Sequence, residues 1–100
     1  MNFVKVSNGK AELYNKGGGR LRTFGSGEIV FADIDAKGEI LVLTLKSGNV
    51  ELHGHKGGRT RTISERNGIS ARFSGDDILV QTKNGKTELR KINGALMRTY

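Results

Sequence analysis

His53-Gly54-His55 sets two imidazoles two residues apart. On an extended segment, residues i and i+2 share a face, so the pair has a spacing that a metal ion can use. No third ligand is identifiable, and the positions that match His53 elsewhere in the chain hold Tyr14 and Arg90, while Lys16 matches His55. That mixture fits an exposed strand face better than a metal centre. Asp33-Ile34-Asp35-Ala36-Lys37-Gly38-Glu39 opens like a calcium loop, with oxygen donors at alternate positions before a glycine. Lys37 occupies the place of the third donor, where a cation repels the metal, and a hairpin turn accounts for the glycine equally well. Gly17-Gly18-Gly19 between Lys16 and Arg20, and Gly57-Gly58 between Lys56 and Arg59, carry amides that could meet a phosphate. Neither fits a Walker pattern or opens a helix, and the shorter Asn93-Gly94 favours plain hairpin turns. No Ser-His-Asp constellation or paired-carboxylate site stands out, so neither enzymatic activity nor a cofactor is expected.

The elements that must carry these residues follow from a repeat. Asn8-Gly9-Lys10-Ala11-Glu12-Leu13 recurs as Ser47-Gly48-Asn49-Val50-Glu51-Leu52 and as Asn84-Gly85-Lys86-Thr87-Glu88-Leu89, its glycines 39 and then 37 residues apart. Ten residues after each Glu stands a triplet: Arg22-Thr23-Phe24, Arg61-Thr62-Ile63 and Arg98-Thr99-Tyr100. Between the Gly and Asn punctuation run β-branched and aromatic residues with no helix signal. The second unit reads as strands a to d over residues 29–35, 39–46, 49–55 and 59–64, and the third over 69–74, 77–83, 86–92 and 95–100. Asn84-Gly85 has the composition of a two-residue type I′ hairpin. The apolar runs Ile40-Leu41-Val42-Leu43 and Ile78-Leu79-Val80 predict that strand b is covered on both faces. With turn centres near residues 17, 56 and 93, Glu12 should face Arg22 across strands c and d, Glu51 should face Arg61, and Glu88 should face Arg98, as structural ion pairs.

Four antiparallel strands per unit of about 40 residues is the arithmetic of a β-propeller blade. On these residues the chain resembles the propeller superfamily of WD40-like, Kelch-like and NHL-like repeats, as an architecture and not as one family. Gly54-His55 is present without a Trp-Asp dipeptide, and the chain has no Trp. The units are 1–27, 28–66 and 67–100 of a single all-β domain. The first has residues for strands b, c and d only, over 1–7, 10–16 and 20–24, which makes about 2.75 four-stranded blades per chain. Closed rings hold four or more blades, so the expectation is a ring completed by homo-oligomerisation. A head-to-tail dimer of six blades is favoured, in which the gap left by the absent strand a widens the central channel or is filled by side chains such as Phe3 or by a ligand.

The 100 residues include 17 Lys+Arg and 10 Asp+Glu, a net charge of +7. The three units carry +4, 0 and +3. Without Cys there are no disulfides and no thiol chemistry, and a reducing, cytoplasmic location is expected. No window approaches 18 apolar residues and the first residues lack a signal-peptide pattern, so no membrane association is expected. In a propeller the c-to-d turns would gather Lys16, Arg20, Lys56, Arg59 and Lys91 into a basic arc outside acidic a-to-b turns with Asp35, Glu39, Asp76 and Asp77. The expected function is binding of an anionic partner: nucleic acid, a nucleotide or an acidic protein surface. The alternatives are a protein-interaction or assembly scaffold whose charge is only solubilising, and a lectin, which the absence of Trp disfavours.

Overall fold

The computed structural model describes residues 2–100, apart from the side chains of Arg59 and Thr60. Met1, at the head of the expected first strand, lies outside the described residues. Among the described residues eleven strands follow the punctuation of the repeat. β1 (Phe3–Ser7), β2 (Lys10–Tyr14) and β3 (Arg20–Phe24) form a three-stranded sheet. β4 (Ile29–Ile34), β5 (Ile40–Leu45), β6 (Val50–Gly54) and β7 (Arg59–Ser64) form a second sheet. β8 (Gly68–Ser74), β9 (Asp77–Thr82), β10 (Thr87–Arg90) and β11 (Leu96–Thr99) form a third. Within each sheet every strand pairs antiparallel with its neighbour in sequence, which is the meander of a propeller blade. No helix among the described residues is long and apolar enough to cross a membrane.

The core lies between the sheets, in two layers. Ala11, Leu13 and Phe24 of the first sheet meet Ile29, Leu41 and Leu43 of the second. Val42, Val50, Leu52 and Ile63 of the second meet Ala71, Ile78 and Val80 of the third. β5 therefore serves both layers, sending Leu41 and Leu43 one way and Val42 the other, and Leu41 to Thr44 are all buried. Each such Leu or Val contributes about 1.5–3 kcal/mol through removal from water. β9 departs from the expectation of cover on both faces. Ile78 and Val80 are fully buried toward the second sheet, but Leu79 is half-buried and Gln81 exposed, because no sheet of the described chain lies beyond.

Neighbouring blades are also tied by their backbones at the b-to-c end. Gly9 O accepts a hydrogen bond from Ile29 N and Gly48 O accepts one from Gly68 N, both at 2.8 Å. Within the second and third blades, Lys46 N donates to Glu28 O at 2.7 Å and Lys83 N to Asn67 O at 2.8 Å, which extends the pairing of β4 with β5 and of β8 with β9. The turns at this end differ from the expected pattern. Asn8 and Gly9 both have positive φ, 53° and 75°, and form the two-residue hairpin. Around Asn84-Gly85, by contrast, Gly85 N donates to Thr82 O and Thr82 N to Lys86 O, which makes a three-residue loop with only Gly85 left-handed. The shorter first turn moves β1 along by one residue, so that Val4 pairs with Leu13 and packs on the core.

Candidate functional site

The expected Glu–Arg pairs do not form across strands. Glu12 lies opposite Thr23, Glu51 opposite Thr62 and Glu88 opposite Thr99, while Arg22, Arg61 and Arg98 lie opposite Leu13, Leu52 and Leu89. A β-bulge in each d strand is the cause. It leaves Leu21, Thr60 and Met97 as unpaired extra residues, and one inserted residue turns everything beyond it to the other face. Each Glu instead meets the residue two places along its own strand. Tyr14 Oη donates to Glu12 Oε1 at 2.9 Å, His53 Nε2 lies 3.0 Å from Glu51 Oε1, and Arg90 Nε donates to Glu88 Oε1 at 3.0 Å. Arg20 Nη1 also reaches Glu12, at 3.4 Å.

The displaced arginines span blades. Arg22 lies over the c-to-d turn of the second blade, so close that a Cβ at Gly57 would stand 2.8 Å from its Nη1. Arg61 repeats the reach one blade on, with Nη1 donating to Asn93 O at 3.2 Å. Arg98 occupies the same place in the third blade, where its guanidinium lies 5.9 Å from the centre of the Tyr100 ring. The spacing of the Arg-Thr triplets marked these residues, but the partner they reach could not be read from it.

Lys16, Lys56 and Lys91 are exposed at or beside the c-to-d turns, and Arg20 is exposed beside them with its guanidinium turned to Glu12. The Arg59 side chain lies outside the described residues. Asp35, Glu39 and Asp76 line a recess of ≈ 280 Å³ whose apolar wall is Ile40, Phe73 and Ile92. The two aspartates of the suspected calcium loop accept from backbone amides. Asp35 Oδ1 accepts from the amides of Glu39 and Ile40 at 2.8 and 3.1 Å, and Asp33 Oδ2 from Phe73 N at 2.8 Å. His55 lies in the turn after β6, with Nδ1 3.1 Å from Glu39 O, and His53 sets its ring edge-on to Phe24. Among the described residues no group of three His, Cys, Asp or Glu could hold a metal ion.

Two sheet faces have no neighbour in the described chain. On the outer face of the first sheet Phe3 stacks on Tyr14 at 5.2 Å, and Lys5 Nζ lies 5.4 Å from the Tyr14 ring centre. The outer face of the third sheet holds Leu79 paired with Leu89 and Gln81 paired with Thr87. Arg98 stands across from Leu89, and Tyr100, 65% exposed, continues the ladder beside Thr87.

Two open-ended layers of four-stranded meander, entered through a three-stranded one, define a propeller-type stack of blades. No family model and no curated protein matches the chain. Among solved structures, the crystal structure of BamB from Moraxella catarrhalis superposes on 98% of this chain with a TM-score of 0.75 and 21% identity. The likeness is one of fold, and this chain spans 32% of that one.

Proposed function

We propose that the protein is a non-catalytic interaction module, a stack of propeller-type blades that takes protein partners on its uncovered end faces. The observation that carries this reading is the apolar surface left at the two ends. Phe3 is 46% exposed at one end, and Tyr100 is 65% exposed at the other, on the sheet face that holds half-buried Leu79 and Leu89. Aromatic, Met and Arg side chains are the types enriched at interface centres, and Arg98 stands beside Tyr100 on the same sheet. The net charge of +7 suits an acidic partner surface and steers its approach. A second reading, a polyanion held along the c-to-d end, rests on exposed Lys16, Lys56 and Lys91.

A photo-crosslinking residue placed singly at positions 3, 56 and 100, in cells expressing the chain, separates the two. Protein adducts of defined mass from positions 3 and 100 are expected. Nucleic-acid adducts from position 56, with no protein adduct from either end, would overturn the interaction reading in favour of the polyanion.

A further inference from the structure

We infer that the outer face of the third blade receives the first blade of a second copy of this chain, head to tail. This rests on the interaction-module reading and names its partner. An internal blade contact sets the pattern. Where the third blade meets the second, Ile78 and Val80 enter a layer with Val42, Val50 and Leu52. These two residues are fixed by register, since Ile78 pairs with Arg90 and Val80 with Glu88. Leu41 and Leu43 hold the same places in the second blade, paired with His53 and Glu51. Phe3 and Lys5 hold them in the first, paired with Tyr14 and Glu12.

The receiving side maps in the same way. Val42, Thr44, Val50 and Leu52 correspond to Leu79, Gln81, Thr87 and Leu89, each 37 residues on in the chain. The two open faces depart from the internal pattern at matching points. Where an internal contact sets Val80 beside Val50, the open faces offer Lys5 on one side and Gln81 with Thr87 on the other. Gln81 Oε1 already accepts from Thr87 Oγ1 at 3.1 Å and keeps a lone pair for an ammonium group. Where the internal layer holds Ile78 with Val42 and Leu52, the open faces offer Phe3 for Leu79 and Leu89. Polar meets polar and apolar meets apolar, so the two ends complement each other.

The third element is the arginine. Arg22 and Arg61 each reach the c-to-d turn of the following blade, at Gly57 and at the Asn93 carbonyl. A docked first blade would bring its own c-to-d turn, Lys16-Gly17-Gly18, to Arg98, where two glycines leave the backbone carbonyls open. The contact is heterologous, and rotation from blade to blade closes it into a ring of few copies.

Sedimentation velocity and native mass spectrometry of the purified chain test this. The unmodified chain is expected as a discrete species of two or three copies of the 10.9 kDa chain. Gln81→Lys sets a second ammonium against Lys5 and should weaken association roughly ten-fold or more. The exposed position makes the change safe for folding, which circular dichroism checks. Lys5→Glu added to Gln81→Lys replaces repulsion by attraction and should restore the oligomer. A monomer at all micromolar concentrations overturns the head-to-tail contact, as does an oligomer that Gln81→Lys leaves unchanged. If the chain is monomeric while positions 3 and 100 still crosslink to other proteins, the partner is wrong and the interaction reading stands.

Discussion

The second and third sheets present equivalent repeat positions on the side facing the next blade, and only one of the two faces is covered in the described chain. Leu52 is 3% exposed in the internal contact, whereas its counterpart Leu89 is half-buried. Arg61 bonds a carbonyl of the next blade, whereas Arg98 lies beside Tyr100 of its own sheet. The sharpest difference lies at the glycines. A Cβ on Gly48 would stand 2.4 Å from the backbone carbon of Arg66, while one on Gly85 would meet nothing within 4 Å. The repeat thus carries the parts of a blade contact at every copy, and their energetic weight depends on whether a next blade is there.

Alanine at the two glycines should widen this comparison most. Both have positive φ, 95° and 83°, which costs a Cβ-bearing residue about 1 kcal/mol at either site. Gly48→Ala adds a collision with backbone that cannot swing aside, and should lose on the order of 3 kcal/mol in denaturant unfolding. Gly85→Ala should lose about 1 kcal/mol. Equal losses would mean that the close approach of residues 66 and 67 contributes nothing.

A smaller effect of opposite sign is expected at Thr44. Its hydroxyl is fully buried in the second layer and, among the described residues, lacks a hydrogen-bond partner. Thr44→Val keeps the shape and removes the unsatisfied group, so the unfolding midpoint should rise, by about 1 kcal/mol in free energy. At the corresponding open position Gln81→Val should change stability by less than about 0.5 kcal/mol.

The smallest effect concerns acid. The Ser26 amide and then its hydroxyl donate to the Glu28 carboxylate at 2.9 and 3.0 Å and hold its pKa below the ordinary carboxylate value. A carboxylate lowered on folding contributes stability above its unfolded pKa and loses it as pH falls through the folded one. Glu28→Gln should therefore flatten the acid limb of the stability profile slightly and leave the neutral region nearly unchanged. An unaltered acid limb would show that the exposed Ser26 bonds carry no weight.

Much of the architecture was legible because Gly and Asn break the chain wherever a strand ends. Arg20–Phe24 and Arg59–Ser64 begin and end where periodicity and punctuation place them. The face of each side chain was less legible. Bulges at Leu21, Thr60 and Met97 carry no distinctive residue type, and each reverses the face of the following arginine. The Glu and Arg positions were therefore recognised as a repeated device with the wrong partners. The exposed lysines of the c-to-d end followed directly from turn positions, whereas the end faces depended on how β1 registers on β2. That register rests on Asn8-Gly9 closing in two residues while the other b-to-c turns take three.

Hydrogen exchange at the lowest workable concentration tests most directly whether cover by a neighbouring blade sets stability here. The slowest amides should be those of β5, Leu41 to Thr44, which lie between two sheets. Exchange should quicken in β9 and β10 and be fastest in β1 and β11, which lie at sheet edges with one face uncovered. Uniform protection across the three sheets, or slowest exchange in β10 and β11, would contradict an open-ended stack.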